Sequence, residues 1–109
     1  VDYSPAPKSI GHGATCTRDL EDNYSVWLAL DELAQDVSHR MIASECKTKA
    51  VHLYVKDNSF MYHEYVAPIH YPTQSAAIIA QAAYELFLLY YRWEKPVRAL
   101  TITASKLQG

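Results

Sequence analysis

The sequence predicts an α+β domain of element order β-α-β-β-α-β, built as a four-stranded antiparallel sheet with two helices on one face. Three observations predict it. Two segments carry apolar residues at helical spacing, Val26 to Met41 and Ile79 to Trp93. Two others, residues 49–56 and 97–106, alternate apolar and polar residues with the period of a strand. Asp57-Asn58-Ser59 is a turn signal between the second strand and an aromatic third one.

Residues 1–8 (VDYSPAPK) hold two prolines and no hydrophobic period, so they read as an extended linker ahead of a domain spanning 9–107. Residues 9–18 (SIGHGATCTR) form a first strand, and its two glycines mark close approach of the backbone to another group. Residues 24–45 form the first helix, with Asp22 or Asn23 as its cap. Val26, Leu30, Leu33, Val37 and Met41 share one face of it, and Asp31, Glu32, Gln35, Asp36, His39 and Arg40 lie mostly outside. In 49–56, Val51, Leu53 and Val55 point one way and His52, Tyr54 and Lys56 the other. Residues 60–67 make the third strand, after which Pro68 and Pro72 bracket a loop. The second helix covers 74–93 with Thr73 as its cap. The last strand turns Leu100, Ile102 and Ala104 to one side and Ala99, Thr101, Thr103 and Ser105 to the other. The simplest compact solution is the ferredoxin-like arrangement, with one sheet face uncovered, polar and aromatic.

Composition narrows the function classes. A chain of 109 residues, half of them apolar, is long enough for one packed domain. Its formal net charge of −2 is unlike that of a strongly basic nucleic-acid protein, although a local basic stripe is compatible with it. No apolar run approaches the ~20 residues that span a bilayer, since Gln81 and Glu85 interrupt the most apolar stretch. No secretory signal is visible, and Val1 in first place suggests a fragment. Cys16 and Cys46 lie in no paired motif and read as ordinary thiols in a reducing cytoplasm. The five histidines (His12, His39, His52, His63, His70) show no metal-ligand spacing. Asp31, Glu32 and Asp36 fit a solvated helix face better than acid–base chemistry.

The strand residues carry a resemblance. Lys8-Ser9-Ile10-Gly11-His12-Gly13-Ala14-Thr15 resembles the K-S-I-G-x-x-x-T opening of the little-finger domain in Y-family translesion DNA polymerases. Arg18-Asp19-Leu20 and the closing Ala104-Ser105-Lys106-Leu107 extend the match over nearly the whole chain. Pro68 falls where the family has a strand-ending proline, Arg98 where it often has an arginine, and YSPAPK resembles the tether from the thumb. The resemblance implies a non-catalytic domain that grips primer–template DNA in the major groove during damage bypass, DNA repair and the SOS response. It further implies a sliding clamp as partner of the parent enzyme, and magnesium held only by a palm domain that would precede Val1. Backbone amides at Ser9, Gly11, Gly13 and Thr15, the hydroxyls of Thr15 and Thr103, and the charges of His12, Arg18, Lys49, Lys56 and Arg98 would meet phosphates. Ala99 and Thr103 stand where relatives are often basic, and Glu64 would repel phosphate if it faced the groove, so a loose grip is expected.

Two other classes fit the element order. An RNA-recognition module would use Tyr62, Tyr65 and Tyr71 to stack bases, but Met61 to Val66 lacks the glycine of that motif. A small-molecule sensing module would rely on Gln74 and Ser75, which are weak candidates.

Overall fold

A computed structural model describes residues 9–109. The predicted linker, and Lys8 with it, lies outside the described residues. The elements are β1 (Ser9–Leu20), α1 (Asn23–Ala43), β2 (Thr48–Asp57), β3 (Tyr62–Thr73), α2 (Ala76–Tyr90) and β4 (Val97–Ser105). The predicted order and class hold. Asp22 caps α1, its Oδ1 accepting from the Ser25 N–H at 2.7 Å. The cap of α2 is Ser75 rather than Thr73: Ser75 Oγ accepts from the Ile78 N–H at 3.3 Å. Thr73 Oγ1 instead accepts from the Ser75 N–H at 3.0 Å, ordering the approach to the helix. α2 also ends earlier than its apolar period suggests. Beyond it, Tyr91 and Trp93 pack on Phe87 with ring centres 4.9 and 5.4 Å away.

All four strands form one antiparallel sheet in the order β1-β4-β2-β3. This order differs from the ferredoxin-like one, in which the first and third strands take the centre. Here they are the edges. Composition explains the choice. β2 and β4 supply the regular apolar rows (Val51, Leu53, Val55; Leu100, Ile102, Ala104), all buried, and such strands are best covered on both sides. β1 is glycine-rich, and β3 holds two prolines, which a sheet tolerates at its edge.

The prolines do not end β3. The strand runs through Pro68 and Pro72 to Thr73, so the predicted loop is strand. The pairing jumps from Ala50↔Pro68 to Thr48↔Thr73, so extra residues of β3 bulge outward opposite two steps of β2. A proline lacks only its N–H, and on the outer side of an edge strand that donor has no ladder bond to lose. The predicted start of β3 is also too early. Phe60 and Met61 belong to the turn, Phe60 at φ 68.

The core lies between the helices and one sheet face. Val26, Leu30, Leu33, Val37 and Met41 of α1 meet Ile79, Ala83, Leu86 and Phe87 of α2 over the β2 and β4 rows. Each fully buried large side chain, such as Leu30, Met41, Leu53 or Phe87, contributes about 1.5–3 kcal/mol through burial.

Candidate nucleic-acid interface

The pairing registers define the uncovered face row by row. From β1 across to β3 the rows read Thr15–Ala99–Lys56–Tyr62, Gly13–Thr101–Tyr54–Glu64, Gly11–Thr103–His52–Val66 and Ser9–Ser105–Ala50–Pro68. The β1 half is therefore small residues and hydroxyls. Lys56 stands at one corner, and Glu64 is the one carboxylate in these rows. The sequence-predicted residues Ser9, Gly11, Gly13, Thr15, Lys56 and Thr103 share this surface.

β1 pairs only with β4 among the described residues, so its outer side is a bare edge. Arg40 Nη1 donates to the Gly11 carbonyl at 2.6 Å, which shows that Gly11 directs its backbone polar groups outward. In an antiparallel ladder the N–H and C=O of one residue point the same way, and the direction alternates along the strand. The N–H groups of Ser9, Gly11 and Gly13 thus line the outer edge, while Ile10, His12 and Ala14 bond inward to β4. The same register accounts for the glycines. A Cβ on Gly11 would lie 2.7 Å from Thr103 Oγ1, and one on Gly13 would collide with Thr101 Oγ1.

The cations cluster at one end. Asp57, buried at the base of the β2–β3 turn, holds that turn together: its Oδ1 accepts from Ser59 N–H at 2.9 Å, Ser59 Oγ–H at 2.6 Å and Met61 N–H at 3.2 Å. Its Oδ2 lies 3.0 Å from His63 Nε2. The Ser59 hydroxyl first, then His63, hold the Asp57 carboxyl well below the usual carboxylate range. The ordered turn presents Phe60, and Lys56 Nζ sits 4.8 Å from its ring centre and 5.4 Å from that of Tyr62. The Arg98 guanidinium lies 5.7 Å from the same Phe60 ring and 3.8 Å from Asp19 Oδ1. Arg98 occupies the irregular step of β4, where Lys56 faces Ala99 but Asp57 faces Val97. Arg18 is exposed at the far end of β1, and Lys49 is half-buried at the start of β2, away from the Lys56 corner.

His12 points to the opposite side. It shares the inward row of Ile10 and Ala14, and its Nδ1 lies 3.1 Å from Asp36 Oδ2 on α1. It does not stand with the glycines on the uncovered face. The aromatic trio separates as well. Tyr62 is on the uncovered face, Tyr65 is on the helix side stacked 5.4 Å from Tyr90, and Tyr71 is in the β3 bulge against His70. No common stacking platform results, which removes the geometry an RNA-recognition module needs. At the centre of the face, His52 Nε2 lies 2.8 Å from Ser105 Oγ and its Nδ1 is 3.4 Å from Glu64 Oε2. Burial first, then Glu64, push the Tyr54 phenol above its ordinary range. Burial likewise raises both thiols, Cys16 and Cys46, away from reactivity. Among the described residues, no three His, Cys, Asp or Glu side chains are arranged to hold a metal ion, and no helix is long and apolar enough to cross a membrane.

Sequence reasoning missed Arg40. Helical periodicity places it on the outer surface of α1, and the contact with β1 bridges 29 positions of sequence. Its one legible signal was a basic residue in a last helical turn.

The fold and the uncovered face define a class: a two-layer α+β domain that shields one side of its sheet and offers the other, with a bare strand edge beside it. Within that class the chain belongs to the impB/mucB/samB family C-terminal domain, whose family model matches residues 7–109. It is 35% identical over 100 residues to a DNA polymerase IV of Acetivibrio thermocellus, covering 92% of this chain and 25% of that protein. It is 28% identical over 114 residues to a DNA polymerase IV of Pelotomaculum thermopropionicum, covering 98% of this chain and 28% of that one. The chain thus spans about a quarter of the length of these relatives. A solved complex of a beta-clamp processivity factor with the little finger domain of PolIV shares the fold, with a TM-score of 0.75 at 14% identity over 93% of this chain and 90% of that one. The family expected from the first and last strands is met, and the fold is that of the solved little finger domain.

Proposed function

We propose that this domain grips primer–template duplex DNA in the major groove through sequence-independent phosphate contacts, as the non-catalytic part of a translesion polymerase. The observation that carries it is the outer edge of β1. Small residues leave the outward amides of Ser9, Gly11 and Gly13 unshielded, beside the hydroxyls of Thr15, Thr101 and Thr103. Backbone and hydroxyl donors position a protein on phosphates without reading bases, which suits an enzyme that must accept any template. Lys56 and Arg98, held over Phe60, supply charge at one end of this track, and Arg18 is exposed beyond it at the end of β1, whereas Lys49 alternates to the side of Val51 and stands off the track. The polymerase IV names of the relatives support the parent activity. In this proposal the chemistry and its magnesium ions belong to a palm domain outside this chain. The structural neighbour solved with a clamp supports a sliding clamp as partner of the parent protein.

Fluorescence anisotropy of the domain with a labelled primer–template tests the reading. Three phosphate-neutralising cations, Arg18, Lys56 and Arg98, give a log–log salt slope of about −2.7 or steeper, so affinity falls at least about 40-fold between roughly 50 and 200 mM salt. Binding that ignores salt, or a preference for single-stranded RNA, overturns it.

A further inference from the structure

We infer that Arg40 belongs to the phosphate-facing edge, where its guanidinium converts the Gly11–Gly13 stretch of β1 into an unbroken run of donors that cradles one phosphate group. The inference rests on the duplex-gripping reading above and assigns a residue that reading does not contain.

A bare strand edge is a poor anion site by itself. Its outward groups alternate N–H, C=O, N–H, so a phosphate drawn to two amides meets a carbonyl between them. On β1 that carbonyl is the one of Gly11, flanked by the Gly11 and Gly13 amides. Arg40 Nη1 donates to it at 2.6 Å. The bond occupies the acceptor and puts a full positive charge in its place. A guanidinium carries five N–H donors in a planar fork, so one bond to Gly11 leaves others for a ligand, and Arg40 is exposed. Gly11 and Gly13 add no Cβ beside the amides, and the space a Cβ would take is held by the Thr103 and Thr101 hydroxyls, which stand next to the edge as further donors.

The helix sets the position. Arg40 lies in the last turn of α1, and Asp36, one turn earlier, is also turned toward β1. The Asp36 carboxylate is engaged by His12 Nδ1 at 3.1 Å, on the helix side of the strand. The repulsive charge is therefore held on the covered side, and the attractive one is carried to the edge.

Anisotropy titrations with wild type, Arg40→Gln and Arg40→Lys against a primer–template test this, with amide NMR of Gly11 and Gly13 as a second readout. Arg40→Gln should weaken binding equally on all sequences and flatten the salt slope by about 0.9, making the loss between roughly 50 and 200 mM about 3.5-fold smaller than in wild type. Arg40→Lys keeps the charge and should keep the wild-type slope. The Gly11 and Gly13 amides should shift with duplex in wild type and less in Arg40→Gln. A wild type that binds while Arg40→Gln keeps its slope and amide shifts overturns this inference and leaves the duplex reading standing. A wild type that binds no duplex removes both.

Discussion

Gly13→Ala separates what the sheet requires of β1 from what a ligand requires. A Cβ at Gly13 would collide with Thr101 Oγ1 and lie 3.1 Å from both Thr101 Cβ and the Leu100 carbonyl oxygen. Rotating Thr101 clears the hydroxyl and leaves the other two contacts, so β1 and β4 must part slightly. At Gly11 the tight contact is Thr103 Oγ1 at 2.7 Å alone, since Thr103 Cβ and the Ile102 oxygen stand at 3.5 Å. There a threonine rotation suffices. Overpacking of the Gly13 kind costs about 1–3 kcal/mol, and replacing a strand glycine by alanine returns about 0.5–1 kcal/mol through the unfolded chain. Gly13→Ala should therefore destabilise by about 1–2 kcal/mol, and Gly11→Ala should be neutral or slightly stabilising. At ~4–8 °C per kcal/mol for a domain of this size, the two variants should differ by roughly 5–15 °C in Tm, read by calorimetry or circular dichroism. The double variant with Thr101→Ala should recover part of the loss. Equal melting of the two glycine variants would refute the close-approach account of Gly13. A Gly11→Ala variant that melts like wild type yet binds duplex poorly would assign that glycine to ligand access.

Glu64→Gln removes the carboxylate from the β3 side of the uncovered face and should tighten duplex binding a few-fold, with sign and size read by an anisotropy titration, and leave Tm unchanged by calorimetry. The Asp57 carboxyl is depressed in the fold, so its contribution is complete above the unfolded value near 3.9 and is lost as pH falls through the lower folded value. Tm should decline on acidification below about pH 4, and Asp57→Asn should show a lower Tm at neutral pH with a shallower acid decline. Burial first, then Asp57, push the Tyr91 phenol up to about 12. The unfolded chain ionises first, so stability should fall between about pH 10 and 12, and Tyr91→Phe should remove one late phenol from a spectrophotometric titration in which Tyr54 and Tyr65 are also late.

Local pattern made most of the architecture legible. Val26 to Met41 repeats at helical spacing because one helix face packs on the sheet, and every one of those residues is buried. Val51, Leu53 and Val55 alternate with His52, Tyr54 and Lys56 because a strand has two faces, so the membership of the uncovered face was readable in β2 and β4. Errors came where a local rule met a tertiary exception. Pro68 and Pro72 suggested a loop, yet β3 is an edge strand that pairs Pro68 with Ala50 and carries Pro72 in its bulge. His12 is a different case: it sits between two glycines of the uncovered face, and strand alternation, a local rule, already turns it to the helix side against the motif-based expectation.

The sequence by itself determined the elements, their inner and outer faces, and the family, since periodicity and a short strand motif are local properties of the chain. The tertiary structure alone decided which strands became edges, and with that, which backbone amides are left bare. It also decided that Arg40, 29 positions from Gly11, closes the gap between two of them. The strand order depends on the relative burial of all four strands at once, and no single segment encodes that comparison.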